Sequence, residues 1–423
     1  YPFFILSTIV THDTFEVPLD EEITSQGHCY QALIYFYLKR EDVDDIETYI
    51  NFLTEFAFYL FKEDKNKLST DEFNEFLTSY LETYNLPVDE NELLSKLSPI
   101  VSPGSFNNYS FRYRYLYYYF VAKYLAENLE DDGVFERVKN IIENLHVNEN
   151  AYITVFLAHH SKSDKVLQEV EFNALALFED FEPATLTQSE VKFFDDHSEQ
   201  IIQASLPSGT NSPEKERKNR LEAQDKIEEA RNNSEHQPEQ PKEEMDGYDA
   251  LGVELRRATK TVEVIGRILK NRAGSLEKTK LKDLFENAMN NHLRVLTSFF
   301  EIIKNPTEQE AITDFISERL LEIIEEKEVR PSEGELKELS RTIFWNLNFF
   351  VVKGIINKIV DSLGSDRLTE IIEKVCDEEN SPATFLVKHG VLMWYNKNLQ
   401  IERLAERIEK SDFSEIAKRT IKF

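Results

Sequence analysis

Only two cysteines, Cys29 and Cys376, occur in the 423 residues, and neither belongs to a CxxC or Cys/His cluster. A disulfide-stapled scaffold and a structural zinc site are left without support, and a reducing, cytoplasmic setting is expected. Glycine is scarce at 12 residues, which suits long helices better than a loop-rich β fold. The nucleotide and hydrolase motifs are missing as well. There is no G-x-x-x-x-G-K-S/T, no G-x-G-x-x-G after a strand, no H-E-x-x-H and no G-x-S-x-G. No catalytic residue is therefore assigned, and this segment is not expected to be an enzyme. Long apolar runs are also lacking at the start. YPFFILSTIV at residues 1–10 gives way to Thr11, His12 and Asp13, too short to span a bilayer and without the basic flank of a signal peptide. A start on Tyr1 and a last helix running to IKF lead us to expect an excerpt of a longer protein.

What the chain has in excess is negative charge and aromatic rings. The formal net charge is −29, which repels phosphate backbones and anionic lipid headgroups, so neither nucleic acid nor a membrane is an expected partner. The charge is uneven, with −23 in residues 1–206, −4 in 207–246 and −2 in 247–423. Such different electrostatics point to separate domains. The rings concentrate in NNYSFRYRYLYYYFVAKYLAENL, residues 107–129, with nine aromatics in its first eighteen positions.

The expected fold is mainly α. Residues 28–40 and 43–62 read as helices, the second with Ile46, Ile50, Leu53, Ala57 and Leu60 along one face. Ser69 with Glu72 predicts a capping box for a helix to about residue 84, and Asp89 with Glu92 repeats it before ELLSKL. SPGS and Asn107-Asn108 then make a turn. Tyr109, Phe111, Tyr113 and Tyr115 alternate with Ser110, Arg112 and Arg114, which is the period of a strand. From Leu116 the period becomes helical, with Leu116, Phe120, Tyr124, Ala122, Leu125, Ala126 and Leu129 on one face. Helices, a small β-hairpin and a new helix make a winged-helix-like domain over 1–130. A small helical domain follows over 131–206, with a further capping box at Thr187 and Glu190. Residues 207–246 lack an apolar stripe and read as a disordered charged linker. Residues 247–423 hold long amphipathic helices, one opened by a capping box at Ser332 and Glu335, in a bundle or irregular helical repeat.

Four chemical readings stand below structural ones. Asp64, Asn66 and Glu75 fit positions one, three and twelve of a calcium loop, but Leu68 and Ser69 stand where a ligand and the turn glycine belong. His159-His160 places two imidazoles on different helix faces, and at a helix C-terminus they suit the dipole. Arg256, Arg257, Lys260, Arg267, Lys270 and Arg272 form a modest basic face whose ordinary role is a solvated surface. For the aromatic strand, base stacking is disfavoured by the acidic surroundings and missing glycines, and packing is expected.

YSFRYRYLYYYFVAKYLAENL resembles a junction in NACHT-type NTPases of the STAND class, with the pattern F-x-H-x-x-F-x-E-Y-F-A-A. Phe111 matches the first Phe, Leu116 the second, Tyr119 and Phe120 the Tyr-Phe pair, and Ala122 the last Ala. Tyr113 stands at the family's His, which senses bound ADP in related switches, and Tyr118 replaces the Glu. YPFFILSTI is similar to the segment after the nucleotide core, where a proline, here Pro2, ends near the adenine. The resemblance covers roughly residues 1–205. It implies the regulatory and sensing end of a bacterial antiphage switch, with Pro2 and Tyr113 as candidate nucleotide contacts. It further implies ATP or ADP with magnesium in the parent protein, with no cofactor in this segment. The implied partners are an upstream NTPase core, a foreign (phage) protein trigger and further copies of the chain on activation. A stand-alone acidic helical adaptor without a nucleotide switch is the alternative.

Overall fold

The computed structural model describes residues 26–43, 45–103, 108–161, 163–197, 201, 250–325, 332–395 and 413–422. Pro2, the YPFFILSTI segment, the linker 207–246 and residues 104–107 of the hairpin turn lie outside the described residues. The described residues are mainly helical, with one two-stranded antiparallel sheet among them. It divides into two compact units, one reaching Asn173 and including Lys270–Arg272, the other made of Ala174–Leu269 and Ala273–Phe423. The stretch 131–206, expected as one small helical domain, is thus shared between the units.

The first unit opens with α1 (Gln26–Arg40), α2 (Ile46–Lys62), α3 (Thr70–Thr83) and α4 (Glu90–Leu97). Strands β1 (Val101–Pro103) and β2 (Tyr109–Phe111) follow, then α5 (Arg114–Glu127), α6 (Asp132–Glu143), α7 (Asn148–His160) and α8 (Asp164–Ala176). The capping box on α3 forms as expected. Ser69 N donates to Glu72 Oε2 at 2.7 Å, and Glu72 N donates to Ser69 Oγ at 3.4 Å. On α4 only half of it forms. Asp89 accepts from the N–H groups of Asn91 and Glu92 at 2.9 and 3.0 Å, while the Glu92 carboxylate turns to Lys96 at 3.0 Å.

The ring-rich stretch departs from its expectation twice. Its strand ends at Phe111, because β1 offers only Val101, Ser102 and Pro103 as partners and Arg112 N–H closes the ladder on Ile100 O at 2.8 Å. The helix therefore starts at Arg114 and takes Tyr115 with it. Every residue from Leu116 to Ala122 is then buried, where one face was expected. The cause is position: α5 packs against both α2 and α7, and a helix enclosed on several sides is apolar all round. The rings fill the interior and pair with one another. Tyr109 stacks on Phe73 at 4.0 Å, Phe111 on Phe56 at 5.5 Å and Tyr124 on Phe58 at 3.6 Å. Each such pair adds about 0.5–1.5 kcal/mol beyond the area it buries. Leu68, in the segment that resembled a calcium loop, is fully buried and exchanges two backbone hydrogen bonds with Tyr109, at 2.9 and 2.8 Å.

The second unit takes in the end of α8, a one-turn α9 (Lys192–Asp195), α10 (Ala250–Arg272) up to Leu269, and α11 (Lys278–Lys304). It continues through α12 (Pro306–Glu325), α13 (Glu333–Leu363), a 3-10 turn, α14 (Thr369–Glu379), α15 (Pro382–Tyr395) and α16 (Glu415–Lys422). Ser332 and Glu335 cap α13 reciprocally, as expected, at 2.8 and 3.4 Å. The box expected at Thr187 does not form. Glu190 Oε2 accepts instead from the N–H groups of Thr185 and Leu186 at 2.9 and 2.6 Å, holding a turn in which Leu186 has φ 57°. That turn is tied to distant parts of the unit: Ala184 N–H donates to Leu293 O, Ala383 N–H to Thr185 O, and Thr187 bridges Phe413. Asp195 caps α16, accepting from Glu415 and Ile416 N–H at 3.0 and 3.1 Å. Among the described residues α13 alone is long and apolar enough to cross a membrane by length and composition, and 44% of that window is buried. It packs chiefly against α12, α15, α11 and α16.

Gly266 marks where α10 meets α13. A Cβ there would lie 2.0 Å from Ser362 O and 2.7 Å from its carbonyl carbon, backbone that cannot swing aside. Gly354, exposed on α13, has nothing within 4 Å of its missing Cβ. Alanine should therefore act oppositely at the two sites. Gly266→Ala is expected to destabilise by about 1–3 kcal/mol through overpacking. Gly354→Ala is expected to stabilise by about 0.5–1 kcal/mol through helix propensity. Urea unfolding followed by circular dichroism reads both, and equal effects would contradict the packing described.

Candidate functional site

Tyr113, the candidate nucleotide contact among the described residues, is the N-cap of α5. Its backbone is extended (φ −129°, ψ 124°) and its side chain makes no capping bond. It is half-buried, close enough to Tyr37 on α1 to help burial raise that phenol's pKa. Pro2, its proposed companion, lies outside the described residues. Tyr118, at the position of the family's Glu, is buried and lies parallel to Tyr152 at 5.8 Å. His160 meets Tyr119 edge-on at 4.5 Å, and the His159 and His160 rings lie 5.2 Å apart. Tyr35, Glu47, Tyr119, Lys123 and His160 line a cavity of about 100 Å³ in this unit. That is well below the roughly 300–1,000 Å³ usual for small-molecule sites. Among the described residues no group of three or more His, Cys, Asp and Glu side chains is arranged to hold a metal ion.

A cleft of about 310 Å³ lies in the second unit between α10, α11 and α13. It lies to one side of the Gly266 contact. The two flanking helices touch at Gly266 and Ser362, and the cleft occupies the wedge toward their N-terminal ends. Leu255, Val295, Phe299 and Ile355 make its walls. Its mouth keeps apolar side chains in water, with Leu251 39%, Ile302 37% and Val351 37% exposed. Two hydroxyls line it, but both protons are committed to their own helices. Thr259 Oγ1 donates to Leu255 O at 2.9 Å and Ser298 Oγ to Val295 O at 2.8 Å, leaving only lone pairs for anything in the cleft.

The end of the cleft toward Gly266 is more polar. Lys358 lines it, and its ammonium donates to Glu263 Oε1 at 2.5 Å; Lys260 holds the other oxygen of that carboxylate at 2.9 Å. Burial works to raise the Glu263 pKa, but the Lys358 and Lys260 ammoniums outweigh it and hold the carboxyl at about 2. His292 is 4% exposed, and its Nδ1 has no hydrogen-bond partner. Burial first, and the Lys358 ammonium second, push its pKa down to about 3 against the pull of Glu263, so the imidazole is neutral. Lys260 had been expected on a solvated basic face; it is turned onto Glu263 instead. Arg256, Arg257, Arg267, Lys270 and Arg272 are each engaged within the fold as well.

Sequence reasoning missed this cleft. The available signal was Asn290-Asn291-His292, a polar run inside the apolar stripe of α11. Asn291 and His292 are both buried, and Asn291 Nδ2 donates to Ala174 O at 3.1 Å. No protein family, curated protein or solved structure matches the chain.

A neutral, buried His292 ties stability to pH. Its pKa is about 3 in the fold and about 6.5 when unfolded, so protons favour the unfolded chain. The stability this residue contributes is complete above pH 6.5 and is lost as pH falls from there toward 3. Glu263, held at about 2 against roughly 4.3 unfolded, adds a loss confined to lower pH. His292→Phe is expected to remove roughly 1.5 kcal/mol of the stability loss between pH 6.5 and 5. Urea midpoints across that range test it, and an unchanged pH slope in the variant would refute the assignment.

Proposed function

We propose that the chain is a non-enzymatic regulatory and recognition segment of a STAND-type NTPase switch, acting through protein recognition and nucleotide-controlled oligomerisation, in bacterial antiphage defence. The observation that carries this reading is the order of elements in the first unit: helices, a short antiparallel hairpin, then a helix running directly out of β2. Leu68, leading into α3, bridges the hairpin at Tyr109, which adds a third backbone segment beside it. Such an order fits a winged helix of the kind the aromatic junction resembles. In this reading Tyr113, at the turn from β2 into α5, faces a nucleotide core supplied by sequence upstream of Tyr1. The second unit is the sensor, and Phe315, Leu347 and Phe350, exposed on α12 and α13, suit contact with a foreign protein.

The acidic adaptor is favoured by one observation, the −23 net charge of residues 1–206. It predicts association with a basic partner that weakens steeply with salt. The switch reading predicts a phosphate-binding loop in the coding sequence upstream of Tyr1. Light scattering on that longer product is expected to show assembly only when ATP and lysate from phage-infected cells are both present. Tyr113→Ala in it is expected to lower nucleotide affinity. No upstream loop and no nucleotide binding would sink the switch and leave the adaptor.

A further inference from the structure

We propose that the solvent-facing side of α13 is the surface through which two copies of the chain pair. In the switch reading a core upstream governs assembly. The pairing argued here lies within the second unit and needs neither that core nor a nucleotide, so the two can fail independently. The switch reading gives Leu347 and Phe350 to a foreign protein, but the stripe they belong to favours a second copy, and Phe315 on α12 stays with the trigger.

The stripe follows from helix spacing. Leu339, Ile343, Leu347, Phe350 and Gly354 recur at steps of four, four, three and four, which sets them along one face of α13. Leu347 is 53% exposed, Leu339, Phe350 and Gly354 are exposed as well, and Ile343 is half-buried. The opposite face, with Phe344, Trp345, Phe349, Val352 and Ile356, is buried in the core of the unit. A helix apolar all round is ordinarily covered all round, and α13 is covered on one side only. Apolar residues at alternating steps of three and four are what a second helix packs along.

Charge and area point to which helix that is. From Thr342 to Val352 α13 carries no charged residue. In a two-fold contact each side chain meets itself or a near neighbour from the other copy, so a charge there would face its own sign. A stripe without charge suits self-pairing and offers nothing to select a charged partner. Residues 247–423 also hold only −2 of the net charge, so like charge does not oppose the approach of two second units. Val351 beside the stripe, with Leu251, Leu255 and Ile302 across the cleft from it, extends the exposed apolar surface to on the order of 500 Å². A stable interface covers about 800 Å² on each partner, about 65% of it apolar in homodimers, which is roughly 520 Å². The patch therefore supplies the apolar share of one such face. Gly354 has nothing within 4 Å of its missing Cβ, so a neighbouring backbone can come close there. A membrane fits less well, because helices that lie on lipid carry Lys and Arg opposite their apolar side, and here that side is protein core.

Sedimentation equilibrium on the whole chain, without nucleotide, is expected to show a monomer–dimer equilibrium that added sodium sulfate tightens. Leu347 lies midway along the stripe, nearest the two-fold axis. Leu347→Lys and Leu347→Glu are each expected to weaken the dimer at least about tenfold. Neither should lower the unfolding midpoint of the monomer, since the position is exposed. An equimolar mixture of the two variants is expected to pair again, because Lys then faces Glu across the axis. A chain that stays monomeric at every concentration would overturn the proposal, and if it then bound phosphatidylcholine vesicles the stripe would belong to a lipid surface. A dimer unaltered by both substitutions, or a mixture of folded variants that fails to pair, would overturn it as well.

Discussion

The tightest backbone approach in the second unit lies between α10 and α13, at Gly266 and Ser362. Those two helices run in the same direction, as the pairs Glu263–Lys358 and Gly266–Ser362 show. With no side chain at 266 their backbones touch, and Glu263, one turn earlier, is brought onto Lys358. Beyond that pair the wedge between the helices is too wide for their own side chains to close, and α11 supplies its floor. The Glu263–Lys358 ion pair therefore sits one turn from a missing methyl group, and a larger residue at 266 would push its two helices apart.

The first unit solves a different problem. An acidic surface weakens a compact state by self-repulsion, and short helices contribute little stability alone. The compensation is an unusually aromatic interior. Phe52, Phe56, Phe73 and Phe76 form a ring network between α2 and α3, and the rings of β2 join its edge through Phe73 and Phe56. α5 then lies within apolar surroundings on several sides, which explains why a stretch so rich in tyrosine is not a surface feature. Tyr117 and Tyr119 are buried deeply enough that their phenols resist ionisation.

Much of the secondary structure was legible in the sequence, and the parts that were not share a cause. The boundaries of α10 and the capping boxes of α3 and α13 depend on residues within a few positions of one another, and local patterns report them well. Thr187 and Glu190 have the same spacing as a capping box, yet Glu190 serves a turn fixed by Leu293, Ala383 and Phe413, which no local pattern reveals. The all-round burial of α5 depends on having neighbours on more than one side. The cleft was the least legible feature, because its lining comes from faces of three separate helices. Only the polar run at Asn290-Asn291-His292 stood out of pattern, and a buried histidine without a visible partner is not a motif.

The turn at Leu186 and the cap at Asp195 also constrain the order in which the chain can be completed. Ser414 Oγ reaches back 228 residues to Leu186 O, and Asp195 holds the first N–H groups of α16. A ribosome adding about 5–20 residues per second needs roughly 10–45 s to cover that distance. During that time the segment 184–195 has been made, but its partners have not. The first unit, nearly all of whose contacts fall before residue 174, can fold within that interval. The second unit acquires α16 only after those further residues have been made, which leaves it incomplete, and open to aggregation, for longer than the first.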